Sequence, residues 1–433
     1  MIKTFLIALL LFSFSLPARA ITLLRDADIE HALSELARPI LQIAGLRPNQ
    51  VKILLVDDPS FNAFIIDRHH IFLHSGLILK CRSVDMLQSV IAHEVAHIAN
   101  GHISHRLRNM QIRQNTARIG IALAVIAEST NPKKNIGGGV ALGIANSAQR
   151  IFHSHTQSQE ISADQTAMRY LSQLKINPEG TLDVLNYLAG QEYLSSERQD
   201  PYSRTHPSSR DRLKVIKNHI DQRETTTFDV EANYWYTRAY AKINAFKLDP
   251  KAILSRPELA IAADISAMKR AIAFSRRGKL DQALKEVKKA QEKRPNDPFF
   301  QDLKAEILMR NKQYLRAVTE YEKAVALAPD QSLVLSGYGR ALLAAGKTKT
   351  ALEALSKARD LDELSSRLLH DLALAHAKIG NRGMAALITA ERFSLMGRFN
   401  DAKHQAEIAE ALLPQGSPTW QRAQDVLHSD YQD

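Results

Sequence analysis

Apolar positions recur along this chain with two kinds of spacing, and where one gives way to the other the chain changes character. Residues 24–44 carry apolar side chains at helical spacing and predict a helix. Val51-Lys52-Ile53-Leu54-Leu55-Val56 is short, β-branched and closed by Asp57-Asp58-Pro59, which is the pattern of a strand. Asn62-Ala63-Phe64-Ile65-Ile66 and Ile71-Phe72-Leu73-His74 predict two more strands, joined as a hairpin through residues 67–70. Next comes a helix with Asp85 at its N-cap and Gln88 three residues on, running to an Asn100-Gly101 stop. A further helix is predicted over residues 160–171. Helices gathered around a small sheet define an α+β arrangement that is mostly helical.

Beyond residue 250 the pattern is almost wholly helical and repeats. Ala283, Ala317, Ala351 and Ala385 lie 34 residues apart; Ala290, Ala324 and Ala358 keep that interval, as do Pro295 and Pro329. Gly278, Gly346 and Gly380 share the frame, with Lys312 in the missing slot. Small residues where helices cross, with proline after the second helix, are the signature of tetratricopeptide repeats. About four units are expected, with a capping helix near residues 420–427.

The first twenty residues differ from both parts. Lys3 precedes an apolar run over residues 5–16, and Ala18-Arg19-Ala20 offers small residues where a signal peptidase reads, so cleavage after Ala20 is expected. The expected divisions are a signal peptide over 1–20, a peptidase domain over 21–250 and the repeats over 251–433. With no further apolar run long enough to span a bilayer, the expected location is the periplasm, with peripheral membrane contact. Cys81 is the only cysteine, so no internal disulfide can form, and its apolar setting reads as buried filler. Net charge is +11, falling to +9 when Lys3 and Arg19 leave with the signal. In an exported protein this balance suits anionic head groups or acidic partners rather than nucleic acid.

The chemistry centres on His93-Glu94-Val95-Ala96-His97. Histidines four apart project from one helical face and can share a metal ion. Glu94, one position round, can take a proton from a water that the metal activates. Zinc suits such donors. Because the motif lies inside an apolar helix, two unpaired imidazoles there are costly to desolvate, and a further ligand is required. Asn100 and Ile103 stand where metzincins need glycine and histidine, excluding that class. His102 and His105 follow the helix stop and are expected to face solvent. Glu160 and Asp164, four apart on the later helix, offer two carboxylates, one to bind metal and the other to orient a ligand.

Taken in order, Asn62-Ala63-Phe64, His74-Ser75-Gly76-Leu77, His93-Glu94-Val95-Ala96-His97, Glu160-Ile161-Ser162-Ala163-Asp164 and Thr205-His206-Pro207 with Arg212 resemble the zincin-type peptidase family of the CAAX prenyl endopeptidase and the HtpX heat-shock protease. The resemblance implies one Zn²⁺ on His93, His97 and Glu160, with Glu94 as catalytic acid and base. Gln157 replaces the family's arginine, and residues 67–70 replace its Pro-Gly-Gly turn. An export signal and C-terminal repeats add a likeness to periplasmic members that act on outer-membrane proteins. That likeness implies an endopeptidase for misfolded or stalled outer-membrane proteins that also assists their assembly, with the barrel assembly machinery met through the repeats. It implies as well that His206 can cover the open zinc position and hold the enzyme off. The competing expectation is a non-proteolytic chaperone or scaffold working through its repeats. Residues 71–74 are read as the sheet edge on which extended substrate pairs, and residues 119–148 as a helical flap over the cleft.

Overall fold

The computed structural model describes residues 23–102, 157–191, 193–195, 198–206, 210–221, 227–255 and 262–428. The expected signal peptide, His105 and the expected flap lie outside the described residues. β1 (Leu23–Leu24) leads into α1 (Ala27–Ile43), whose N-cap Asp26 accepts hydrogen bonds from the Asp28 and Ile29 amides. Ile29, Ala32, Leu33, Leu36, Ala37, Ile40 and Leu41 recur at helical spacing and are buried, as the sequence pattern requires.

β2 (Lys52–Val56), β3 (Ala63–Ile65) and β4 (His70–His74) complete a four-stranded sheet in the order β1-β2-β4-β3. β2 runs parallel to β4, while β3 pairs antiparallel with β4 as the expected hairpin. β4 is therefore central, and the expectation that it forms an edge is corrected: its backbone is paired on both sides. The edge beside it is β3. Alternation sends Ile53, Leu55, Ala63, Ile65, Ile71 and Leu73 into the core built with the helices. Leu54, Val56, Phe64 and Phe72 point the other way, into a second core with Leu335, Leu368 and Leu372 of the repeats. Both faces are thus apolar, which is why the strands read as nearly continuous apolar runs.

α2 (Ser75–Lys80) precedes α3 (Val84–Ala99), the helix carrying His93 and His97. Its N-cap is Ser83 rather than Asp85. Ser83 has an extended backbone and accepts from the Met86 amide at 3.2 Å. Asp85 lies inside the first turn, where its carboxylate favours the positive end of the helix dipole. α4 (Gln157–Gln173), α5 (Glu179–Gln191), α6 (Pro201–Thr205) and α7 (Arg210–Asp221) surround α3 and its site. α8 (Val230–Lys247) packs on both α1 and the first repeat helix, and α9 (Pro250–Ser255) follows.

The repeats are helix pairs: α10 (Ala263–Arg276) with α11 (Leu280–Lys293), α12 (Pro298–Arg310) with α13 (Tyr314–Leu327), α14 (Ser332–Ala344) with α15 (Thr348–Leu361), and α16 (Ser366–Lys378) with α17 (Arg382–Leu395). α18 (Phe399–Leu412) and α19 (Pro418–Leu427) close the array, the last where the capping helix is expected. Ala283, Ala317 and Ala351, with Ala290, Ala324 and Ala358, are fully buried at the helix crossings. Gly278, Gly346 and Gly380 take positive φ between the paired helices, and Lys312 is held at φ 57 in the same slot.

Charged contacts join the repeats to the rest. Arg238 of α8 reaches Asp28 at 2.7 Å and Asp297, the N-cap of α12, at 2.5 Å. Asp362, beyond α15, pairs with Arg25 and lies 3.5 Å from Lys52 of β2. The repeats therefore hold the outer face of the sheet as part of one folded body.

Candidate metal centre

Packing of α3 between α4, α5, α1 and β3 buries Val90 to Ile98, so His93, Glu94 and His97 are 5%, 1% and 0% exposed. At the end of α3, the Asn100 side-chain amide donates to the Ser162 carbonyl and hydroxyl and to Thr166, at 3.2 to 3.3 Å, fixing α3 against α4. That contact brings Glu160 and Asp164 to the histidines. Glu160 lies 3.3 Å from both His93 Nε2 and His97 Nε2, while Asp164 Oδ1 sits 3.0 Å from His93 Nδ1. Two carboxylates four apart on one helix therefore meet different atoms of the same imidazole.

α6 ends at His206, which is 2% exposed. His206 Nε2 lies 3.8 Å from Glu94 and 3.9 Å from Glu160. One ligand atom from each of His93, His97, Glu160 and His206 falls within 4.8 Å of the others. The three imidazoles share one orientation. Each turns Nε2 toward the centre and holds Nδ1 against a separate partner: Asp164 for His93, His102 for His97 and the Thr205 hydroxyl for His206. Three Nε2 atoms turned inward, together with a carboxylate, form the donor set that suits zinc once the imidazoles are neutral.

Arg212 of α7 ties the outer groups together. Its guanidinium donates to both oxygens of Asp164 at 2.7 and 3.0 Å, contacts Glu160 at 3.1 Å and reaches the His206 carbonyl at 3.2 Å. Electrostatics follow from burial and these pairs. Burial opposes the charged form of His93, yet bonding to Asp164 and Glu160 overrides it and pushes the pKa up to about 10. Burial lowers His97 to about 4, helped by the neighbouring charge of His93. His206 is also driven well below its ordinary value, chiefly by burial. Burial raises Glu94 to about 7, against the pull of His93. Glu160 and Asp164 stay ionised despite burial because imidazole and guanidinium groups surround them.

The structure thus gathers every site residue read from the sequence: His93, Glu94, His97, Glu160 and His206, with Asp164 and Arg212 behind them. It corrects one reading. His102 is buried, not solvent-facing, because Gly101 adopts φ 70 and turns the chain back under α3. Tyr202 was not legible. Its hydroxyl donates to Glu94 Oε1 at 3.2 Å, and its ring packs on His206 at 4.3 Å. The one available signal was its place one helical turn before His206. Cys81 is buried as expected, and burial pushes its thiol up, away from reactivity.

A buried helix bearing two histidines and a glutamate, completed by a carboxylate from a second helix beside a small sheet, defines a metallopeptidase, here joined to tetratricopeptide repeats. Residues 23–220 match the model of Peptidase family M48. The chain is 21% identical over 401 residues to the Beta-barrel assembly-enhancing protease of Escherichia coli (strain K12), covering 91% of this chain and 81% of the relative. It is 20% identical over 215 residues to the Mitochondrial metalloendopeptidase OMA1 of Schizosaccharomyces pombe, covering 50% of this chain and 59% of the relative. Among solved structures, TTC0263, a thermophilic TPR protein of Thermus thermophilus, matches 38% of this chain and 99% of its own, with 19% identity and a TM-score of 0.26.

Proposed function

We propose that this chain is a zinc-dependent endopeptidase of the periplasm that degrades misfolded or stalled outer-membrane proteins and assists their assembly. The observation that carries the reading is the convergence of His93, His97, Glu160 and His206 within 4.8 Å, with Glu94 beside them. His93, His97 and Glu160 would hold the zinc, which would supply Lewis-acid polarisation of the scissile carbonyl and of the attacking water. Glu94 takes the proton from that water and returns it to the leaving amine, its burial keeping the carboxylate basic enough for both. Asp164 fixes the His93 ring, and Arg212 keeps Asp164 charged.

His206 occupies the remaining donor position at rest, and Tyr202, carried on the same short helix, holds Glu94. A segment that covers the metal and occupies the base restrains cleavage until it moves. An extended substrate would pair along β3, the outer strand beside β4 among the described residues, and such backbone pairing reads main chain more than side chain and so suits misfolded proteins. We take residues 21–250 as the peptidase unit after removal of residues 1–20, and residues 251–433 as the unit that meets the barrel assembly machinery. The name shared by the bacterial relatives supports this assignment of substrate and place.

Purified protein is expected to bind zinc near one equivalent and to lose it when both His93 and His97 are replaced. Glu94→Gln should retain zinc and cut a misfolded outer-membrane protein at least about 100-fold more slowly, the scale of a lost general base. Normal cutting by Glu94→Gln would refute the assigned role of Glu94, whereas no cutting by the unaltered, zinc-loaded protein would leave the scaffold reading. His206→Ala should raise cleavage; unchanged or lower activity would refute the restraint.

A further inference from the structure

We propose that His102 is a positioning residue for the metal, fixing the tautomer and ring angle of His97 through a direct imidazole–imidazole hydrogen bond. The inference rests on the reading of His93, His97 and Glu160 as metal ligands. It starts from local backbone geometry. α3 ends at the Asn100 cap, where the Gly101 amide donates to the Ile98 carbonyl at 3.0 Å and φ turns to 70. Glycine takes this left-handed value without a Cβ clash, so residue 102 falls back against the helix instead of leaving it. His102 is 8% exposed, its ring centroid 5.0 Å from that of His97 and its Nδ1 3.0 Å from His97 Nδ1.

Two Nδ1 atoms at that distance must divide the roles of donor and acceptor, since neutral imidazole carries one proton. His97 Nε2 faces Glu160 and His93 Nε2 at 3.3 and 3.0 Å and needs its lone pair for the metal. Its proton therefore sits on Nδ1 and is donated outward. His102 accepts it at Nδ1 and keeps its own proton on Nε2. The two helix ligands are then supported by different chemistry, an anion behind His93 and a neutral ring behind His97. A neutral acceptor orients His97 without adding a further buried acidic group to a site that already holds Glu94, Glu160 and Asp164. Partners of this kind typically govern metal affinity by about 10–100-fold.

Asparagine places a carbonyl oxygen near the position of His Nδ1, whereas leucine has the same branching and no acceptor. In the full chain, zinc affinity measured by chelator competition should fall about 10–100-fold in His102→Leu and stay within about threefold of the unaltered protein in His102→Asn. With cobalt as probe, His102→Leu should alter the visible absorption bands and His102→Asn should retain them. Equal weakening by both variants would reduce His102 to packing and overturn the proposal, as would unchanged affinity in His102→Leu. Circular dichroism of the zinc-free variants checks folding; if His102→Leu does not fold, His102→Ala against His102→Asn makes the same comparison. Failure of the unaltered chain to bind zinc would instead sink the metal reading, and this proposal with it.

Discussion

Replacing Arg212 with leucine should destabilise the zinc-free protein heavily, and by an amount that depends on pH. The guanidinium and its partners Asp164 and Glu160 are 4%, 1% and 1% exposed at the side chain, so solvent cannot take over its role. Weak values measured for exposed ion pairs do not apply at such burial. Removing one member of a buried pair costs about 3–5 kcal/mol, because the remaining carboxylates lose their compensating charge. Loss of the bond to the His206 carbonyl adds about 1 kcal/mol. With a urea slope of about 3 kcal/mol per molar, the midpoint should fall by roughly 1.3–2 M.

The sign of the pH effect follows from the carboxylates. In the intact protein Asp164 and Glu160 are held below their ordinary values, burial opposing and the neighbouring cations prevailing. Their contribution is complete above the unfolded pKa of about 4 and is lost as pH falls through the folded values. The difference between intact and Arg212→Leu proteins should therefore be full at pH 7 and narrow below about pH 4. Urea unfolding followed by circular dichroism at both pH values measures it. A loss under about 1 kcal/mol at pH 7, or the same loss at pH 7 and pH 3.5, would refute the assignment of Arg212 as the counter-charge.

Two further outcomes test the fold. Asp362→Ala leaves Arg25 with Glu30 but removes the buried anion shared with Lys52, so it should cost about 2–4 kcal/mol and expose the junction between sheet and repeats to limited proteolysis; no change in either would show that the junction rests on apolar packing alone. Lys312→Gly removes the strain of a lysine at φ 57 and should raise the thermal midpoint by about 1–3 °C, while a fall would show that the lysine side chain compensates for its backbone.

Much was legible because it is local. Histidines four apart, an Asn-Gly stop, short apolar runs in residues 51–74 and a 34-residue frame each express the geometry of one element or one helix pair, and each reappears at its place. Apart from the N-cap of α3, which is Ser83 and not Asp85, the readings that failed depended on where the chain goes after an element ends. His102 looked exposed because a helix stop usually releases the chain, yet a left-handed Gly101 returns it to the core. Residues 71–74 looked like an edge because a hairpin by itself has two outer sides, and only the parallel pairing with β2 covers one of them. Tyr202 carries no motif at all; its role comes from the short α6 laying it across Glu94.

By itself the sequence determined that α3 presents His93, Glu94 and His97 from one buried helix, and that the second half is a repeat array. Periodicity settles these matters because backbone hydrogen bonding fixes which residues share a face. Tertiary structure alone decided how Glu160, Asp164, His206 and Arg212, more than sixty positions further on, close around those histidines. It also decided that the repeats cover the outer face of the sheet through Leu54, Val56, Phe64 and Phe72. Such contacts arise from packing and charge pairing between distant segments, which no local spacing encodes.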